Sequence, residues 1–143
     1  MTASGIMREH IELVWPWFWP LILPAYRRSD EQPGPEAILQ AIKSQELQAW
    51  TIWSKTQPVA GILTKLLREA TSGELHCHLW LIAGSHLSLW ADDFLSKLIP
   101  WAKAEGCCAL TTSSQRGWGR RPARYDFERI EDRGGFPTWK RAI

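Results

Sequence analysis

The stretch AGSHLSLWADD, residues 83–93, joins an apolar, strand-like run to a helix-like one. Backbone N–H groups at a strand-to-helix junction can hold a phosphate, helped by the positive end of the helix dipole. Here those groups belong to Gly84, Ser85, His86 and Leu87. The loop keeps one glycine and has no Arg or Lys anywhere in residues 83–93. Its acids, Asp92 and Asp93, fall in the expected first turn, where they suit the dipole by about 0.3–1 kcal/mol but oppose an incoming anion. Unit charges about 4 Å apart at an effective dielectric near 20 repel by ~4 kcal/mol. The junction therefore reads as a degenerate phosphate cradle.

His76 and His78 share one face of the preceding run, and a His-x-His pair can ligate zinc when a third side chain converges. The remaining histidines, His10 and His86, are not brought near by any local pattern, so no metal site is expected. Cys77, Cys107 and Cys108 show neither Cys-x-x-Cys nor zinc-finger spacing and read as small buried hydrophobes. Further on, RGWGRRPAR joins Arg116, Arg120, Arg121 and Arg124 to Trp118. Such a composition can track phosphates while stacking a base. Residues 115–143 are net basic, but the whole chain carries only +2. A solvated turn, its arginines paired with Asp126, Glu128 or Glu131, is the better reading. Nucleic acid is admitted but not favoured, and Trp118, Arg120 and Arg121 also suit a protein interface, where both residue types are enriched.

These residues must be held by a single domain, residues 1–143, long enough to bury about 70% of its unfolded surface. Three cysteines form an odd set, which points to a reducing, intracellular compartment. Residues 9–28 read as a first helix whose regular part begins near Pro16, with Pro20 and Pro24 kinking it or breaking it in two. PEAILQAIKSQ is a short second helix with Ile38, Leu39 and Ile42 on one face. LQAWTIWS, VAGILTKLLRE and ELHCHLWLIA form a three-stranded meander. In the last of these, Leu75, Cys77, Leu79 and Leu81 alternate with His76, His78, Trp80 and Ile82. A helix capped by Ser88, kinked at Pro100 and stopped by Gly106 leads to the strand CCALTTSS, which pairs in parallel through a right-handed crossover. DFERIED and TWKRAI close as an antiparallel pair.

This element order resembles that of the GNAT acyltransferases. The strings HIELVWPWFWPLI, LQAWTIWSKTQPVAGIL, LIPWAKAEGCCAL and RGWGRRPARYDFERIE resemble small GNAT-like proteins encoded by tailed bacteriophages. The resemblance implies an α/β fold: one GNAT-like domain with a mixed, mostly antiparallel sheet, two N-terminal helices and a crossover helix. It also implies an acyl-CoA loop of the form R/Q-x-x-G-x-G/A at residues 83–93, which here keeps only Gly84. The family's frequent general acid is a tyrosine a few residues before a Gly-Phe pair. With YDF in that place, the tyrosine position falls near Pro122, Asp126 replaces the glycine, and Tyr125 serves only in a shifted register.

Ten tryptophans are the oddest feature of the composition, and VWPWFWPLIL has no polar residue at all. It is too short for the roughly 20 residues of a membrane span and is interrupted by prolines. A helix buries one face, so some of Trp15, Trp17, Phe18 and Trp19 should stay exposed in a monomer and meet a protein partner or a second copy. The expected function is a non-catalytic GNAT-fold phage protein acting in binding, assembly or the virion. It would work in the host cytoplasm or within a phage particle, with no cofactor. The alternative is an active N-acyltransferase using acetyl-CoA, held by the backbone of Gly84, Ser85, His86 and Leu87 and served by Tyr125.

Overall fold

Strand-forming residues bounded by tight turns build most of the molecule, whose computed structural model describes residues 1–113, 121–133 and 136–143. The elements run β1 (Thr2–Ile6), a 3-10 turn (Arg8–His10), α1 (Ile11–Arg28), α2 (Pro35–Lys43), β2 (Leu47–Ser54), β3 (Gln57–Arg68) and β4 (Leu75–Gly84). They continue with α3 (Leu87–Ala104), β5 (Ala109–Ser113), a 3-10 helix (Arg121–Tyr125), β6 (Glu128–Arg133) and β7 (Phe136–Ala142). One sheet of seven strands has the order β1-β2-β3-β4-β5-β7-β6. Every neighbouring pair is antiparallel except β4 with β5. The expected α/β class, meander, crossover helix and closing hairpin are all present. The added element is β1, whose TASGI sequence carries little strand signal and which is held by pairing along β2.

Helices α1 and α2 cover one face of the sheet. Phe18, Ile22 and Ala25 of α1 join Ile38, Leu39 and Ile42 of α2 over Ala49, Leu63, Leu81 and Ala83. Helix α3 covers the other, with Trp90, Phe94, Leu98 and Ala102 on Trp50, Ile52, Ile62 and Leu79. The two faces are exchanged along β4 by a bulge. Leu63 pairs with Leu81 but Thr64 with Leu79, so Trp80 is an extra residue. Strict alternation therefore fails: Cys77 and Leu79 face α3, whereas Leu81 faces α1 and Ile82 packs on the α3 side.

Helix α1 runs unbroken from Ile11, not from Pro16, through all its prolines. Pro16, Pro20 and Pro24 recur every fourth residue and all are exposed. Each removes a bond to the carbonyl one turn back, and all of those carbonyls lie on the stripe that water can reach. Helix α3 likewise continues through exposed Pro100, and Gly106, at φ 93°, terminates it as expected.

Gly61 of β3 lets α1 settle on the sheet. A Cβ built there would lie 2.8 Å from Ile22 Cγ2 and 3.3 Å from Phe18 Cε1, and both side chains are fully buried. Ala normally suits a strand better than Gly by roughly 0.5–1 kcal/mol, but overpacking costs about 1–3 kcal/mol. Gly61→Ala should therefore lower the midpoint of denaturant unfolding, and Gly61→Val should lower it further. A rise in either midpoint would contradict this packing.

Candidate functional site

Parallel pairing between β4 and β5 begins at His76 with Ala109 and ends at Leu79 with Thr112. Strand β4 runs on beyond that ladder to Gly84 beside β3. Against this end of β4 lies a narrow apolar slot of about 50 Å³. Its walls are Leu79, Ile82 and Thr112 from the two strands, Trp90, Ala91 and Phe94 from α3, and Pro122, Tyr125 and Phe127 from the segment after β5. At its mouth a second cavity, of about 160 Å³, is lined by His86, Leu87, Ser88, Arg121, Arg124 and Tyr125. Leu87, Arg121 and Tyr125 line both.

The junction that brings α3 to this mouth is tight. Gly84 has φ 127°, and a Cβ there would lie 2.5 Å from Ala60 Cβ and 2.8 Å from the Val59 carbonyl oxygen, so only glycine fits. His86 takes the left-handed conformation, φ 62°, and is the N-cap residue in place of Ser88. Trp90 Nε1–H donates to the Ser85 carbonyl at 3.1 Å and pins the loop. The His86 side chain makes no capping hydrogen bond. The Leu87 and Ser88 N–H groups stand at a helix N-terminus beside two guanidinium groups.

The expected acids do not lie in the first turn. Helix α3 begins at Leu87 and has no acid in its first turn; Asp92 and Asp93 fall in the second. The Asp93 carboxylate accepts from Ala3 N–H at 2.7 Å and from Lys97 Nζ at 3.1 Å. The Ala3 N–H bond, then Lys97, hold its pKa below the ordinary aspartate value. The positive charge absent from residues 83–93 comes instead from Arg121 and Arg124, distant in sequence.

Tyr125 sits half-buried at the junction of slot and mouth, and its carbonyl accepts from Arg141 at 3.0 Å. Pro122, where family spacing puts the tyrosine, is a buried wall of the slot. Arg116, Trp118 and Arg120 lie outside the described residues. Trp17 packs edge-on against Trp53 at 5.4 Å, while Trp15 stacks on Trp19 at 5.5 Å and Trp19 meets Tyr26 at 4.9 Å. All of Trp15, Trp17 and Trp19 are half-buried, whereas Phe18 is not exposed at all, because it faces the sheet and packs into the core. The slot residues Ala91, Phe94 and Phe127 escaped sequence reasoning because their apolar character marks only a core.

His76 and His78 do share a face, but their partners differ. His78 Nδ1 contacts Thr111 Oγ1 at 2.8 Å, and His76 Nε2 contacts Glu74. His86 is at the far end of β4. Cys77 and Cys107 are buried as expected, and burial pushes the Cys77 thiol up to about 12. Cys108 is exposed because, on the extended chain entering β5, its side chain alternates with those of buried Cys107 and Ala109.

No protein-family model and no curated protein matches this chain. Solved structures do. A ribosomal-protein-alanine N-acetyltransferase from Brucella melitensis is 10% identical with TM-score 0.70, covering 100% of both chains. The PaiA N-acetyltransferase of Thermoplasma acidophilum, solved in complex with coenzyme A, is 13% identical with TM-score 0.63 and covers 100% of both. FeeM, an N-acyl amino acid synthase from uncultured soil microbes, is 11% identical with TM-score 0.66, covering 99% of this chain and 89% of its own. The likeness is one of fold, and the fold is that of the GNAT acyltransferases. Among the described residues, no helix is long and apolar enough to cross a membrane.

Asp93 joins α3 to β1, and its lowered pKa sets a pH dependence. A group with a depressed folded pKa contributes stability above its unfolded value, about 3.9 for aspartate, and loses it as pH falls through the folded value. Asp93→Asn should therefore be less stable than wild type near neutrality, and the gap should close below that range. Melting curves across acid pH would show it; a gap that persists at the lowest pH would assign the effect to packing.

Proposed function

We propose that the protein is an N-acyltransferase that takes its acyl group from acetyl-CoA, bound between β4, β5 and the N-terminus of α3. The observation that carries this reading is the continuity of an apolar slot with a mouth formed by helix N–H groups, Arg121 and Arg124. A donor with a flexible arm ending in phosphates needs both parts in that order. Backbone amides at Leu87 and Ser88 and the two guanidinium groups would hold the pyrophosphate through charge-assisted hydrogen bonds. Trp90, Ala91 and Phe94 would exclude water from the arm.

Acetyl-CoA supplies a thioester carbonyl. Tyr125, at the slot, would give its phenolic proton to the sulfur that leaves as an acceptor amine takes the acyl group, and the amine's own proton passes to solvent. The expected loop glycines are dispensable in this arrangement, since Gly84 is demanded by its contact with Ala60 and Val59 and the anion charge is met from the Arg121–Tyr125 helix.

Isothermal titration with acetyl-CoA tests the site. Hydrogen bonds to charged groups contribute about 1.5–3 kcal/mol each, so Arg121→Glu with Arg124→Glu should weaken binding by at least about tenfold without unfolding these exposed positions. Tyr125→Phe should keep that affinity and lower turnover by about 10²–10⁴-fold, the usual contribution of a positioned acid. No heat of binding from a folded wild-type protein would sink the proposal. It would favour instead the non-catalytic reading, in which the half-buried Trp15 and Trp19, stacked on one face of α1, form a contact for a phage assembly partner.

A further inference from the structure

At the end of the β3–β4 hairpin far from the slot, several metal-ligating side chains meet. Turn residues 69–74 are closed by Glu69 N–H donating to the Glu74 carbonyl at 2.8 Å and Gly73 N–H to the Glu69 carbonyl at 2.9 Å. This places both carboxylates beside His76 of β4, whose side chain is only 6% exposed. His76 Nε2 lies 3.1 Å from Glu74 Oε2 and 3.8 Å from Glu69 Oε2. Cys108, entering β5 from the adjoining position, has its Sγ 3.4 Å from the same Glu74 oxygen. Donor atoms of Glu74, His76 and Cys108 all fall within 4.8 Å of one another.

We propose that Glu74, His76 and Cys108, with Glu69 beside them, bind a thiophilic divalent cation, zinc being the ion they suit best. Zinc takes thiolate, imidazole and carboxylate ligands in a tetrahedron, with bonds of about 2.3 Å to sulfur and about 2.0–2.2 Å to nitrogen and oxygen. Those bonds put nitrogen and oxygen about 3.4 Å apart and sulfur and oxygen about 3.6 Å apart. The corresponding separations here, 3.1 and 3.4 Å, need open by only a few tenths of an ångström. The donor set mixes hard and soft atoms, which suits zinc and excludes the oxygen-seeking magnesium and calcium.

The surroundings fit the same assignment. His76 is buried on a strand and so held in place, and the ligands come from the hairpin turn, β4 and the start of β5, which a metal would tie together. Zinc takes sulfur as thiolate, so binding must release the Cys108 proton. Lys140 of β7, with Nζ 3.7 Å from Glu74 Oε2, is the cation that a metal would displace.

Titration of the whole protein with cobalt(II), then zinc, tests this. Of the three cysteines, the other two are buried, so thiolate-to-cobalt charge transfer reports Cys108. The expected result is one cobalt per chain, with a charge-transfer band and intense tetrahedral visible bands that zinc abolishes, and a melting temperature raised by zinc. Cys108→Ser should remove the band and weaken zinc binding by at least about 100-fold, the upper end of what losing even an outer-shell partner does. Glu74→Gln, at an exposed position, should weaken it too if His76 variants fail to fold. Lys140→Ala should tighten it, an effect that a merely structural ion pair would not produce. Absence of the charge-transfer band at stoichiometric cobalt, or zinc affinity unchanged by Cys108→Ser, would overturn the site.

Discussion

The packing of α3 and of residues 122–127 against the C-terminal end of β4 is the constraint on which the site depends. Among the described residues the parallel ladder of β4 with β5 reaches Leu79 with Thr112, and beyond the bulge at Trp80 strand β4 stays paired with β3 as far as Gly84. Against this end of β4, α3 supplies an apolar floor through Trp90, Ala91 and Phe94, and Pro122, Tyr125 and Phe127 supply a wall.

Charge at the mouth follows from the same arrangement. The left-handed turn at His86 aims α3 so that its N-terminus opens beside Arg121 and Arg124. Asp93, an acid expected to oppose an anion there, is drawn to β1 and Lys97 by its bonds to Ala3 N–H and Lys97 Nζ. The edge strand β1 thus has a function beyond covering the sheet, since it engages one of the carboxylates nearest the helix start.

Periodicity and turn residues made the order of elements legible, including the parallel crossover and the buried faces of α2 and α3. They failed where a rule of local structure was overridden by position. Prolines in α1 do not break it because all fall on the solvent stripe. Alternation along β4 could not reveal the bulge, because an inserted residue looks like any other apolar residue in a run as rich as HLWLIA. The slot was legible only as core. The mouth was half legible: Arg121 and Arg124 stood out as a basic cluster, and residues 84–87 as a strand-to-helix junction, but nothing local says that they adjoin. Cys108 reads as a core residue because its neighbours Cys107 and Ala109 are buried, and its approach to Glu74 depends on where β5 enters the sheet.

Amide hydrogen exchange with and without coenzyme A tests the central claim most directly, since it locates a ligand rather than only detecting one. The account requires slowed exchange in residues 80–88 and 121–125, the two segments that meet at the mouth, with little change in β1, β2 and α2. Protection confined to other elements, or none at saturating coenzyme A, would contradict it.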